Sequence, residues 1–291
     1  MRARVALCNV ALLLAGMRCQ GAELFYLDHD PFTAEYVGAV GPLVISGEIM
    51  PGDYERLLSK IAGDEGRFLA LNKIILASDG GDVAEAVKIG GLVKSLFTQV
   101  IVGPLTGRCV SACFFIYAAA AQREADGERL VGINRPFIDE TDEAVPAPAP
   151  APAPAPALVP VPVSVSAPVP GRDAALTESR ALAQVRDFLR ENAVPNYLVD
   201  EMFRRASDDA YWLSDDDEKN LGVRSPAFIR YLREKCAWDE NIERDTYAGS
   251  RPLEDLKRKL KCRARVTRAD AHAALIQATG VLQRERSAAA H

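Results

Sequence analysis

Histidine, tryptophan and aromatic side chains in general are scarce, with three histidines, two tryptophans and 7% aromatics in 291 residues. Few histidines leave few side chains able to move a proton near neutral pH. There is no Cys-x-x-Cys and no histidine near a cysteine, so zinc ligation, the rival reading of the cysteines, has no spacing to support it. No lysine falls between Lys94 and Lys219, which removes the usual amine substitute for a histidine base over that span. Cations do not outnumber anions: the formal charge is −5, and no basic stretch is interleaved with aromatics, so nucleic-acid binding is excluded. No apolar run spans a bilayer comfortably, and no repeat of solenoid length is present.

What is present begins with a leader. Arg2 and Arg4 form a basic start, Val5 to Met17 is mostly apolar, and the small residues Gly21 and Ala22 offer a cleavage site after Gly21. Residues 1–21 therefore read as a signal peptide, and the protein as periplasmic or secreted, with no stable membrane span once the leader is gone. Cys19 follows Arg18 rather than a small residue, which argues against a lipid anchor. Export leaves Cys109, Cys113, Cys236 and Cys262, an even number in an oxidising compartment. Cys236 and Cys262 flank a polar loop between two predicted helices and read as a disulfide. Cys109 and Cys113 can pair only if Cys109 lies outside regular helix, which the sequence leaves open.

The chain is organised around residues 71–136. The run Ile74, Ile75, Leu76 ends in a turn carrying Gly80 and Gly81. Val83, Ala86, Val87 and Gly90 then follow the spacing of one buried helix face. Thr98 to Val102 reads as a strand, an apolar helix begins near Ser111, and Leu130 to Ile133 reads as another strand. This alternation predicts a parallel sheet with right-handed crossovers, and ligands bind in the loops at the carboxyl ends of such strands. Upstream, residues 23–42 show little pattern and Leu43 to Ile49 reads as a strand. Asp53 is expected to cap a helix whose buried face is Tyr54, Leu57, Leu58 and Ile61.

Residues 144–172 are a Pro/Ala/Val-rich linker; the tract to Pro170 holds ten of the eighteen prolines, so it has neither the amide donors nor the backbone freedom of a core element. The linker divides a core whose first part is 22–143 and whose last part is 173–225. In that last part Leu182, Val185 and Leu189 mark one helix and Leu198, Met202 and Phe203 the next. Ser214 to Asp217 resembles a capping box opening a short helix that Gly222 ends. Residues 226–291 form a helical C-terminal extension, with helix starts at Ser225–Pro226 and at Thr267 with Asp270. Its basic run, LKRKLKCRAR, reads as a solvated face.

Three segments together resemble the Clp protease proteolytic subunit and its relatives. SDGGDVAEAVKIG is similar to that family's glycine-rich turn, usually S-P-G-G. GRCVSAC before an apolar helix is similar to its nucleophile segment, and VGINRP to its I-H-x-P segment. The likeness runs from Leu43 to Val223 and is greatest to a group of secreted bacterial members with a C-x-S-A-C serine loop. The fold it implies is α/β, a spiral of ββα units with a parallel sheet, shared by the Clp protease and crotonase superfamily. The linker then stands where the family has the handle that joins two rings.

The resemblance assigns roles residue by residue. Ser111 takes the nucleophile position, and the amides of Gly80 and Ala112 form the oxyanion hole. Gly81 and Asp82 line the substrate cleft, and Asp209 falls near the acid. Asp79 replaces the usual proline and is expected to face solvent, since a carboxylate turned inward would oppose a developing anion. Asn134 stands where the family has its base histidine, and an amide cannot accept a proton near neutral pH. The implied protein is a degenerate serine peptidase that binds a peptide or protein in its cleft, or assembles with copies of itself, without cofactor or metal. The alternatives are an active peptidase with a non-standard or subunit-supplied base and, less favoured because export separates it from the cytoplasmic acyl-CoA pool, a crotonase-type enzyme.

Overall fold

The computed structural model describes residues 21–31, 41–103, 107–136 and 172–289. The predicted leader up to residue 20 and the proline tract up to residue 171 lie outside them.

The chain begins with β1 (Glu23–Tyr26), antiparallel to β2 (Leu43–Ser46) with Leu24 opposite Ile45. Helices α1 (Asp53–Gly63) and α2 (Glu65–Leu71) lead into β3 (Lys73–Ala77), and α3 (Val83–Ser95) into β4 (Gln99–Val102). Next come the two-residue strand β5 (Cys109–Val110), α4 (Cys113–Ala119), β6 (Gln122–Ala125) and β7 (Val131–Ile133). Five strands form one sheet in the order β1-β2-β3-β4-β6, parallel except at the β1 edge. Its central strands carry Leu43, Ile45, Ile74, Ile75, Leu76 and Val100, all fully buried. Such continuous aliphatic runs are what a parallel sheet covered on both faces requires.

After the linker come α5 (Arg172–Glu191), α6 (Asn196–Arg204), β8 (Tyr211–Trp212) and α7 (Asp215–Leu221). The capping box at Ser214 and Asp217 is present, and Gly222 follows the helix with φ 80°. Then come α8 (Pro226–Cys236), α9 (Ile242–Tyr247) and the 37-residue α10 (Leu253–Ala289). Ser225 caps α8 as expected, accepting from the Phe228 amide. The protein is thus α/β, with a mostly parallel sheet and a helical C-terminal part.

Four expectations are corrected. β7 does not extend the main sheet. It lies in a second, three-stranded sheet, β5-β7-β8, parallel to β5 and antiparallel to β8. The helix after Ser111 begins at Cys113, because Ser111 itself has φ 58°, outside the helical region. Asp53 does not cap α1: Gly52 holds the cap position, and the Asp53 carboxylate is buried, accepting from the amides of Ala22 and Met50. Thr267 does not start a helix but sits within α10, its hydroxyl donating to the Arg263 carbonyl one turn back. A run of strong helix formers with no proline gives α10 no reason to stop there.

The C-terminal part belongs to the same body as the sheet. Ala271, Leu275 and Leu282 of α10 join the main core, and Arg286 pairs with Glu55 of α1 at 3.0 Å. Trp238, Phe228, Leu232, Ile242 and Leu256 make a second, smaller core. The expected disulfide Cys236–Cys262 joins α8 to α10, and Cys109–Cys113 is also formed. No helix among the described residues is long and apolar enough to cross a membrane.

Candidate functional site

The two sheets meet where β3 ends. The Ser78 amide donates to the Arg108 carbonyl (2.8 Å) and the Val110 amide to the Ser78 carbonyl (2.9 Å), so the β3 backbone continues alongside β5. The glycine turn therefore leaves β3 next to the residue that ends β5, which is Ser111. The Ser111 amide donates to the Gly132 carbonyl of β7 at 3.1 Å. Asn134 lies one residue past β7, at the carboxyl end of the neighbouring parallel strand. Topology alone brings Gly80, Ser111 and Asn134 to one end of the small sheet.

Ser111 is a half-buried serine in the left-handed backbone region, which an L-residue occupies at a cost of about 1–2 kcal/mol. The turn that holds it there is closed by the Cys109–Cys113 disulfide, with both cysteines fully buried. The Ser111 hydroxyl has no hydrogen-bond partner among the described residues.

Gly80 packs directly against it: a Cβ on residue 80 would lie 2.8 Å from the Ser111 Cβ and 3.2 Å from the Ala112 nitrogen. The two amides assigned to an oxyanion hole differ in state. The Ala112 amide is buried and has no acceptor among the described residues, a rare condition for a backbone N–H. The Gly80 amide donates to the Ser78 hydroxyl at 3.1 Å. Ser78 thus sits where it can compete with a ligand for that donor, a role the sequence reading missed. Its signal was its place at the head of the SDGG turn.

Gly81 has φ 136°, and a Cβ there would lie 2.1 Å from the Ile49 carbonyl oxygen; it is the glycine that lets the turn pass the end of β2. Asp82 caps α3, accepting from the Glu85 amide at 2.6 Å, while its own amide donates to Ile49. Asp79 faces solvent as expected and is met by Arg108, which donates through Nε at 2.6 Å. Arg108 was not anticipated; its charge offsets a carboxylate beside the turn.

Asn134 is buried. Its Nδ2 donates to the Ser207 carbonyl at 2.6 Å, and its Oδ1 has no hydrogen-bond partner among the described residues. Asp209 is not brought to it: that carboxylate is exposed and accepts from Arg205 at 3.0 Å. Two other side chains able to act as a base have partners of their own. Lys88 pairs with Glu85 at 3.1 Å, and His272 of α10 meets Glu65 of α2. No cluster of three or more histidine, cysteine or acidic side chains that could hold a metal occurs among the described residues.

Among the described residues the arrangement offers an open hydroxyl, one unpaired amide beside it, and no basic group hydrogen-bonded to that hydroxyl. No family model matches this chain, and no curated protein matches it. Solved structures that match include a mutant of the 1510-N membrane-bound stomatin-specific protease, with 14% identity, 67% of this chain and 83% of that chain covered, and a TM-score of 0.37. ClpP1 from Listeria monocytogenes matches with 16% identity, 63% of this chain and 88% of that chain covered, and a TM-score of 0.33.

Proposed function

We propose that this protein is an exported serine-peptidase-like member of the Clp protease family that has kept its nucleophile position and lost its base. In this reading it works as a peptide- or protein-binding module, or assembles with copies of itself, rather than as a peptidase. One observation carries the reading: among the described residues the Ser111 hydroxyl is unpaired while the residue at the base position, Asn134, spends its Nδ2 on the Ser207 carbonyl. A serine hydroxyl attacks a carbonyl only if its proton has somewhere to go, and a carboxamide accepts none near neutral pH. Loss of the base from such a triad removes about six orders of magnitude in rate in the best-measured case, which oxyanion donors do not restore. The engagement of the Gly80 amide by Ser78 supports the same conclusion. Two disulfides among the described residues support export to an oxidising compartment.

The unpaired Ala112 amide favours a second reading, an active peptidase whose base is supplied by another subunit. A fluorophosphonate probe, which reacts with activated serines, separates the two. The degenerate reading expects labelling of the wild type no greater than that of Ser111→Ala. Strong labelling that disappears in Ser111→Ala would establish the second reading instead, and turnover of an acyl-CoA without peptide turnover would move the protein to the crotonase side of the superfamily.

A further inference from the structure

Beyond the carboxyl end of β2, beside β1, the fold holds a buried carboxylate against the backbone nitrogen of Ala22. Asp53 and Ala22 are each 1% exposed, and Asp53 Oδ2 accepts from the Ala22 nitrogen at 2.9 Å and from the Met50 amide at 2.8 Å. Arg56 closes the group, with Nη1 on Asp53 Oδ1 and Nη2 on the Ala22 carbonyl at 2.9 Å. Gly21 is pressed against the same carboxylate: a Cβ there would lie 2.2 Å from Asp53 Oδ1 and 2.8 Å from Arg56 Nη1. Ala22 is thus the first buried residue among those described, and the Gly21–Ala22 bond is the one at which the leader pattern expects cleavage.

We propose that Ala22 is the first residue of the mature protein and that its α-ammonium forms a buried ion pair with Asp53. This rests on the export reading above. Hydrolysis of the Gly21–Ala22 bond by a leader peptidase consumes one water and leaves a carboxylate on Gly21 and an amine on Ala22, which takes up a proton. The nitrogen already lies at hydrogen-bond distance from Asp53, so cleavage converts a neutral donor into a charged one without moving the chain. The amide-to-carboxylate bond is already charge-assisted, and cleavage adds the attraction of a full positive charge held against the carboxylate. Loss of Gly21, which is partly exposed, admits water to the two remaining ammonium protons.

The pair also braces the candidate site. Asp53 holds the Met50 amide, and the adjacent Ile49 donates to the Gly80 carbonyl at 2.9 Å and accepts from the Asp82 amide at 2.8 Å. The mature N-terminus is therefore tied, through one carboxylate and two residues, to the glycine turn that faces Ser111.

The test uses the full chain exported by a bacterial host. Intact mass and N-terminal sequencing are expected to give a protein beginning at Ala22. In the folded protein at neutral pH, acylation of the α-amine is expected to be at least about tenfold slower than in urea, because protonation and burial protect it. Asp53→Asn is expected to lower Tm by about 5 °C more in the chain beginning at Ala22 than in one that keeps Gly21. If that variant does not fold, the acylation rates of the wild type decide. Cleavage at this bond with an amine as reactive as in urea, or equal Tm losses in the two chains, overturns the ion pair and leaves export standing. Retention of residues 1–21, or a mature chain starting elsewhere, overturns the proposal; retention sinks export with it.

Discussion

Gly80 has no room for a side chain because Ser111 takes it up: a Cβ on residue 80 would lie 2.8 Å from the Ser111 Cβ, and Gly80 has φ 114°. Both facts penalise any other residue. Gly80→Ala is expected to destabilise the fold by about 2–3 kcal/mol, the sum of a strained backbone and an overpacked contact. Urea denaturation measures this. A loss under about 0.5 kcal/mol would show that the turn and the serine are not in contact.

Ser111 occupies the left-handed region with φ 58° and a hydroxyl that has no hydrogen-bond partner among the described residues. Serine is thus retained at a position where glycine is the better backbone. Ser111→Gly is expected to raise stability by about 1 kcal/mol, while Ser111→Ala changes it by less than about 0.5 kcal/mol. A lower urea midpoint for the glycine variant would contradict the backbone assignment. This cost in stability is what a residue kept for contact with a ligand, rather than for folding, is expected to show.

The two disulfides among the described residues differ in access. Cys109 and Cys113 are fully buried, whereas Cys236 and Cys262 are partly exposed. Exchange requires a thiolate to reach a sulfur, so mild reductant should open Cys236–Cys262 first, with Cys109–Cys113 slower by at least about tenfold. Alkylation followed by peptide mapping reads the order. Opening Cys236–Cys262, whose cysteines are 26 residues apart, is expected to cost about 3.5 kcal/mol from loop entropy alone. The reverse order of reduction would mean that the Ser111 turn opens in the native state.

Glu218 in α7 has its pKa pushed up from 4.5 to about 7, first by burial and then by the neighbouring charges of Asp215 and Asp217. An acid whose pKa is higher folded than unfolded binds its proton more tightly in the native state. Its contribution is present below the unfolded pKa and is lost as pH rises from about 4.5 through about 7. The side chain is only half-buried, so after solvent screening the loss is about 1 kcal/mol. Glu218→Gln should match the wild type near pH 4 and exceed it in stability near pH 8. Equal stability differences at the two pH values would sink this assignment.

Much of the core was legible because its physics is local. Ile74 to Leu76 and Val100 to Val102 are apolar runs bounded by turns, and Ser214 with Asp217 announces a helix start in four letters. Pro226 after Ser225 does the same for α8. What escaped was set by partners distant in sequence. β6 reads Gln122, Arg123, Glu124, Ala125, with no apolar alternation, yet it pairs with β4 because Arg123 is buried against the Ala118 and Gly222 carbonyls. β1 is a four-residue edge strand, and Asp53 looked like a cap because its partner, the Ala22 nitrogen, lies thirty-one residues away. The motif residues around Ser111 could be listed from the sequence. That the Gly80 amide is held by Ser78, and that Asp209 turns to Arg205 instead of Asn134, are facts of packing that no spacing encodes.

The central claim is that the Ser111 site lacks a proton acceptor, and Asn134→His tests it most directly. An imidazole has one ring nitrogen to donate to the Ser207 carbonyl, as Asn134 Nδ2 does, and a second able to accept a proton. Labelling by a fluorophosphonate probe is expected to rise at least tenfold over the wild type, to map to Ser111, and to vanish in the Ser111→Ala, Asn134→His double variant. Wild-type protein that labels as strongly as Asn134→His, or an Asn134→His protein that folds and still does not label, would contradict the account.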